Sequence, residues 1–331
     1  MATYDVHAHC IPSTFRDWLE RNGARVGVEL IETPNGPRAR FADKVTTAPF
    51  RDDITDFDLR MQRIDGMGID VQVLAGWIDL TGYELSREVA SEYTRAHNEA
   101  LVEEAARAPG RFRTIGTVPL QHPDLAVAEL GHAMGEMGMA GVEIATTVDG
   151  RYPDQVDGLD AFWEAAEELG AFVLLHPMRP LAGIDMGRYF MDNMVARPAE
   201  STISLAGMIF SGVFERYPDL TLCIVHGGGF APYQMGRMDK GYTMVPGKSA
   251  ERISTLPSEY LKRLYFDTVV HDHAALDYLI RHFGHEHVVA GTDYPFPMGD
   301  QDPVGFVESL PGISAEAVAA ITGGNAERLL N

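Results

Sequence analysis

The chain is poor in cysteine, in basic side chains and in long apolar runs, and each shortage removes a class of protein. Two cysteines among 331 residues, Cys10 and Cys223, cannot build a disulfide framework. Each lies in an apolar, strand-like stretch without a paired spacing, which fits a reducing, cytoplasmic setting. No window approaches the ~18 uninterrupted apolar residues of a membrane span. The first residues enter an apolar–polar strand with neither the basic nor the apolar region of an export signal, so neither secretion nor membrane insertion is expected. Lysine and arginine number 27 against 48 aspartates and glutamates, and the formal charge of −21 disfavours a polyanionic partner such as nucleic acid. The same field repels a small anionic substrate, so a carboxylate-bearing substrate needs positive charge built into its site. Repeats, low-complexity tracts and Gly/Ser/Pro-rich linkers are missing too, which predicts one domain over residues 1–331.

What is present is a rhythm. Hydrophobic residues make up 45% of the chain, enough for a sizeable core, and short apolar runs are followed by segments of helical period. Residues 113–118 (RTIGTV) read as a strand. A helix then begins near Pro123, with Ala126, Leu130, Met134 and Met137 on one face and Gly138 at its end. Residues 141–144 form the next strand. A second helix places Phe162, Ala166 and Leu169 at core spacing, stops at Gly170 and leads into the apolar run 171–175. With residues 3–6, 71–75, 222–225, 264–266 and 288–290, eight strands are expected. Eight βα units suit a closed (β/α)₈ barrel, although periodicity does not exclude a doubly wound open sheet. Residues 26–41 break the rhythm with two strand-like runs around Pro34-Asn35-Gly36-Pro37, where Asn-Gly supplies the positive φ angles of a tight turn. They predict a β-hairpin within an insertion at about 12–55.

In a parallel barrel the active site gathers at the carboxyl ends of the strands. The first strand ends Asp5-Val6-His7-Ala8-His9, and a period of two turns His7 and His9 to one face. His176 ends the fifth strand, His226 the sixth, and the eighth runs into Asp293. Imidazoles with one carboxylate suit zinc or another borderline divalent metal. A single histidine is more often a core or surface residue; the convergence on one mouth carries the reading. His97, His122, His132, His271, His273, His282, His285 and His287 show no such arrangement and are expected to be solvated or structural. The run Gly227-Gly228-Gly229 lacks the lysine and spacing of a P-loop and misses the dinucleotide fingerprint. It is expected to let substrate or metal-bound water approach the backbone. The fourth strand, GVEI, offers no lysine as a bridging ligand, which favours a mononuclear site.

These residues sit in stretches that resemble the aminocarboxymuconate-semialdehyde decarboxylase branch of the amidohydrolase superfamily. The stretches are DVHAHCIP at 5–12, TVPLQHPDLAV at 117–127, LLHP at 174–177, RPAESTISLAGMIFSGVFERYPDLTLCIVHGGG at 197–229 and GTDYPFP at 291–297. The likeness covers most of the chain. It implies a distorted (β/α)₈ TIM barrel with a small β-insertion near the N-terminus. It further implies one Zn²⁺, with Mn²⁺ the other option, on His7, His9, His176 and Asp293, a bound water completing the shell, and His226 as general acid/base beside it. Arg51 and Arg237 match arginines that bind substrate carboxylate, the second reaching in from a neighbouring subunit, which implies a homodimer. A planar guanidinium fork is the natural carboxylate receptor in a negative protein. Met178 and Asn193 stand where the family pattern has tryptophan, while Phe296 is retained, so Asn193 and Phe296 are expected in an altered pocket wall and the substrate's shape is expected to differ.

The implied reaction is metal-dependent, non-oxidative decarboxylation of a small unsaturated or aromatic-derived carboxylic acid. In it a proton relayed by His226, or hydroxide, adds at the carbon bearing the carboxylate so that carbon dioxide can leave. The rival is a hydrolase of the same superfamily cleaving a C–C or C–N bond beside a carboxylate with the same metal hydroxide as nucleophile; His226 and Asp293 are the expected catalytic groups. A non-catalytic metal-binding barrel would leave Arg51, His226 and Arg237 without purpose.

Overall fold

Strand residues that alternate between two apolar faces require cover on both sides, and this requirement organises the molecule. The structure, a computed structural model, describes residues 2–42, 44–178 and 185–331. Tyr4–Asp5 and His9–Cys10 run parallel to Val71–Gly76, which also pairs with Phe112–Thr114. A second parallel sheet has the spatial order Val288–Val289, Tyr265–Asp267, Leu222–Ile224, Phe172–His176, Gly141–Ala145. Backbone hydrogen bonds tie the two sheets together at both edges. Gly116 bridges Val142, with Glu143 N donating to Gly116 O at 2.8 Å. On the other edge Val6 N donates to Ala290 O at 3.0 Å, and Ala8 bridges Tyr294.

Neighbouring residues of one strand go to different clusters, as a pleat demands. Phe172, Leu174, Cys223 and Val225 join Val6, Val73, Ile115 and Val289 in one cluster. Val173, Leu175, Leu222 and Ile224 pack instead with helix residues such as Phe162, Leu205 and Leu276. Helices therefore cover one side of strands whose other side faces its own core, the arrangement of an α/β fold. No helix of the described residues is long and apolar enough to cross a membrane.

Several boundaries differ from the sequence expectation. The third strand is Phe112–Thr114; beyond it Ile115 N donates to Leu74 O at 3.1 Å and Gly116 forms an isolated bridge to Val142. The seventh strand is Tyr265–Asp267 rather than 264–266, which places a carboxylate at its end. The helix Asp160–Glu168 stops before Leu169, which is 45% exposed rather than core, because the chain leaves helical geometry at Gly170 with φ +63°. Met137 also lies beyond its helix, Pro123–Gly135.

Three strands between residues 28 and 45 form an antiparallel sheet. Val28–Ile31 pairs with Arg38–Phe41, and that strand with Lys44–Val45. At its turn Gly36 alone of the Asn-Gly pair takes a positive φ, +113°, and Thr33 and Gly36 exchange backbone hydrogen bonds. The sheet delivers the next segment to the strand ends. Phe50 N donates to Pro37 O at 2.7 Å, and the Phe50 ring meets Trp77 edge-on at 6.4 Å, fixing Arg51 beside the mouth.

Candidate active site and metal centre

The four residues expected as metal ligands meet at one point. One donor atom from each of His7, His9, His176 and Asp293 lies within 4.8 Å of all the others, and all four residues are buried. Asp293 Oδ1 stands 3.4 Å from His7 Nε2 and 3.3 Å from His9 Nε2. The period-two argument explains the two histidines, although they do not share one continuous strand. His7 lies in the break between Tyr4–Asp5 and His9–Cys10.

Whether these residues suit a cation can be tested on their unmet hydrogen bonds. His7 Nε2, His9 Nε2, His176 Nε2 and Asp293 Oδ1 are buried and partnerless. Burying one such atom costs roughly 1–3 kcal/mol, so four facing each other demand a common partner. A divalent cation fits that donor set. The protonation states agree. Burial, reinforced by the neighbouring His9, His7 and His226, pushes His176 well below the ordinary imidazole range, into the neutral, ligating form. Burial opposes ionisation of Asp293, yet His7, His226 and His9 around it hold its carboxyl well below the carboxylate range.

A layer behind the ligands aims them. Asp267 Oδ2 lies 2.6 Å from His7 Nδ1, and its Oδ1 accepts from Gly227 N at 2.8 Å. Burial raises the Asp267 pKa, but the hydrogen bond and charge of His7 outweigh it and keep the group ionised. His176 Nδ1 lies 2.8 Å from Pro177 O. Behind His9, Glu143 Oε1 stands 3.7 Å from Nδ1, and burial pushes that carboxyl up to about 8. Asp5 anchors the eighth strand's end to the first, accepting from Thr292 N at 2.9 Å, Thr292 Oγ1 at 2.6 Å and Gln72 Nε2 at 2.8 Å. Arg60 completes this scaffold, donating to Gln72 Oε1 at 2.7 Å and His9 O at 2.5 Å. Sequence reasoning missed Asp267, Asp5 and Arg60, although Asp267 ends a strand, the signal that found His176.

His226 and Asp293 share an uncommon backbone. Both have positive φ, 55° and 56°, a region costly for non-glycine residues. Asp293 is held there by its N–H to His7 O at 2.7 Å and its carbonyl to Phe296 N at 2.9 Å. His226 Nε2 comes within 3.5 Å of Asp293 Oδ2, the oxygen not turned to His7 and His9.

Above the ligands lies a chamber of about 230 Å³ lined by Arg51, Trp77, Asn193, Arg197, His226 and Phe296 among others. Phe296 contacts His9 at 5.3 Å and Trp77 at 5.9 Å between ring centroids. The aromatic wall thus comes from Trp77 and Phe296, while Met178 is buried beneath, its sulfur accepting from Thr81 Oγ1 at 3.7 Å. A second lobe of about 290 Å³ shares Asn193, Arg197, His226, Asp293 and Met298 and adds His271. Trp77, Arg197 and His271 were not expected here. Trp77 directly follows a strand, and Arg197 opens a helix whose sequence matched the family pattern without being read for charge.

Arg237 is exposed on the helix Ala231–Met244, outside the chamber of its own chain. Of the glycine run expected to open the backbone to substrate, Gly229 lines the second lobe, while Gly227 and Gly228 are buried. A Cβ on Gly227 would meet Val270 Cγ1 at 2.3 Å, one on Gly228 the Phe266 ring at 2.8 Å, and one on Gly229 Pro198 O at 2.3 Å. The glycines allow close packing and left-handed turns.

Parallel strands ending in a buried His/His/His/Asp cluster, beneath a small polar and aromatic chamber, define a metal-dependent α/β enzyme. The chain belongs to the amidohydrolase family, whose pattern matches residues 4–331. It is 31% identical over 326 residues to 2-amino-3-carboxymuconate-6-semialdehyde decarboxylase of Dictyostelium discoideum, covering 98% of this chain and 90% of the relative. Among solved structures, 5-carboxyvanillate decarboxylase from Sphingomonas paucimobilis superposes with a TM-score of 0.83 at 24% identity, covering 99% and 98% of the two chains. A dihydroxybenzoic acid decarboxylase from Polaromonas sp. JS666, solved with manganese and 2-nitroresorcinol, gives 0.79 at 22% identity over 99% and 96%.

Proposed function

We propose that this protein is a metal-dependent, non-oxidative decarboxylase of a small unsaturated or aromatic carboxylic acid. The observation that carries the reading is the set of four orphaned donor atoms with His226 beside them, opening onto a chamber sized for a small molecule. His7, His9, His176 and Asp293 would hold a divalent cation, which would contribute Lewis-acid chemistry there. The side chains do the rest. His226 lines the chamber and can hold a proton at Nε2 against Asp293 Oδ2, then pass it to the carbon that loses its carboxylate. Trp77 and Phe296 orient a flat, conjugated substrate and exclude water. Arg51 lines the mouth as the arginine matched to carboxylate binding, with part of its fork shared by Asp53.

Finer features follow from the family. The eight strands form a distorted closed barrel, supported by the hydrogen bonds at both sheet edges. The chain is one domain in which residues 12–55 form the insertion. Three imidazoles and one carboxylate favour zinc, with manganese, present in the Polaromonas relative, as its competitor. Two buried, unpaired cysteines suit the cytoplasm. Arg237 reaches the site of a second copy in a homodimer, in keeping with the exposed Phe230 and Tyr233 near it.

The test compares carbon dioxide release from aminocarboxymuconate semialdehyde, 2,6-dihydroxybenzoate and 5-carboxyvanillate by native protein, chelated protein and His226→Ala. Release that needs metal and falls about 10²–10⁴-fold in His226→Ala is expected. Hydrolysis products without carbon dioxide would replace the reading with a hydrolase, and undiminished turnover in His226→Ala would remove its acid/base role.

A further inference from the structure

Among the described residues two arginines, Arg51 and Arg197, line the chamber, and they are not equivalent. Arg51 is already engaged. Its Nε donates to Asp53 Oδ1 at 2.9 Å, and its Nη2 donates to Asp53 Oδ2 at 2.6 Å and to Pro295 O at 2.7 Å. A bidentate carboxylate therefore already occupies much of that fork and offsets its charge. Arg197, the first residue of the helix Arg197–Phe210, is half-buried and donates from Nη1 to one neutral acceptor, Pro177 O, at 2.9 Å. No carboxylate pairs with it among the described residues, an unusual condition for a half-buried cation in a protein with 48 acidic side chains.

Its position gives that charge a use. Arg197 lines both lobes, and with His226 and Asp293 it marks the waist between them. Pro177 O also faces His176 Nδ1, so one carbonyl orients both a metal-ligand histidine and the guanidinium. An anion at the waist is thereby registered against the ligand cluster without help from another subunit.

We propose that Arg197 is a specificity-determining residue whose guanidinium fork, contributed by the same chain, binds a second anionic group of the substrate, remote from the carboxylate that is lost. The proposal rests on the decarboxylase reading for its substrate class. Its measurement is binding, which needs no turnover, so failure of either leaves the other open to separate judgement.

The experiment is calorimetric titration of manganese-loaded protein with isophthalate and benzoate, for wild type, Arg197→Gln and Arg197→Lys, with metal content and melting temperature measured on each. Wild type is expected to prefer isophthalate. Arg197→Gln should weaken isophthalate about tenfold or more while benzoate stays within about twofold, because only the second carboxylate loses its partner. Arg197→Lys should fall between, since an ammonium keeps the charge and loses the fork. A merely structural Arg197 would weaken both ligands equally or lower the metal content, and either result overturns the proposal. If Arg197→Gln does not fold, Arg197→Lys decides, and an isophthalate-to-benzoate ratio unchanged from wild type overturns the bidentate receptor.

Discussion

At the scale of single residues, the centre is a balance of unmet valences. His7 satisfies one ring nitrogen with Asp267 and leaves the other facing Asp293. That division fixes the tautomer, because Nδ1 must carry the proton to donate to a carboxylate. Asp267→Asn should therefore weaken metal affinity about 10- to 100-fold, measured by competition with a chromogenic chelator. Affinity equal to wild type would show that Asp267 serves only the packing around Gly227. The ligands themselves were legible because their chemistry is written in residue type and strand position: His7 and His9 two apart, His176 at the end of an apolar run. Trp77 and Arg197 carry no such mark. Their role depends on which loop faces which, and spacing along the chain does not report it.

At the scale of elements, the strand ends are held by close backbone approaches. Gly229, with φ +64°, lets the turn after His226 press on Pro198 at the start of the Arg197–Phe210 helix. Gly229→Ala combines a left-handed alanine with a Cβ 2.3 Å from Pro198 O and should cost at least about 2 kcal/mol by denaturant unfolding. Gly131, inside the helix Pro123–Gly135 with nothing within 4 Å of its missing Cβ, is the contrast. Gly131→Ala should be neutral or stabilise by up to about 1 kcal/mol. A substitution series in which both glycines behave alike would refute the packing argument.

The helix Arg87–Ala106 contributes a second elemental feature. His97 stacks on Phe15 at 4.1 Å, both its ring nitrogens are buried without partners, and burial depresses its pKa to about 3. The unfolded chain, titrating near 6.5, binds the proton that the folded chain refuses. Stability is therefore intact above the ordinary value and is lost as pH falls through the interval toward 3. Between pH 7.5 and 4.5 the stability gap between wild type and His97→Phe should shift by about 2 to 3 kcal/mol in favour of the phenylalanine variant. Parallel pH profiles for the two proteins would contradict a neutral, buried His97.

At the scale of the whole molecule, a centre assembled from the first, fifth and eighth strands couples metal binding to folding, because the unfolded chain cannot present that set. Chelation should lower the melting temperature, and added Zn²⁺ or Mn²⁺ should raise it by an amount that grows with free ion, corresponding to about 2.7 kcal/mol of added stability at a hundred times Kd. A melting temperature indifferent to chelator would count against a metal on these residues.

The eightfold alternation of short apolar runs and helical segments, the paired imidazoles of the first strand and the shortage of positive charge were all determined by the sequence, since local pattern and residue chemistry act over a few neighbours. Strand pairing brought Asp293 to His7 across 286 residues, and the antiparallel sheet carried Arg51 to the mouth and bound it to Asp53. It also set Arg197 between two lobes with no carboxylate paired to it among the described residues. Those outcomes rest on which surfaces pack together. Burial, hydrogen-bond satisfaction and charge compensation are properties of a place in the folded molecule, and only tertiary structure assigns the places.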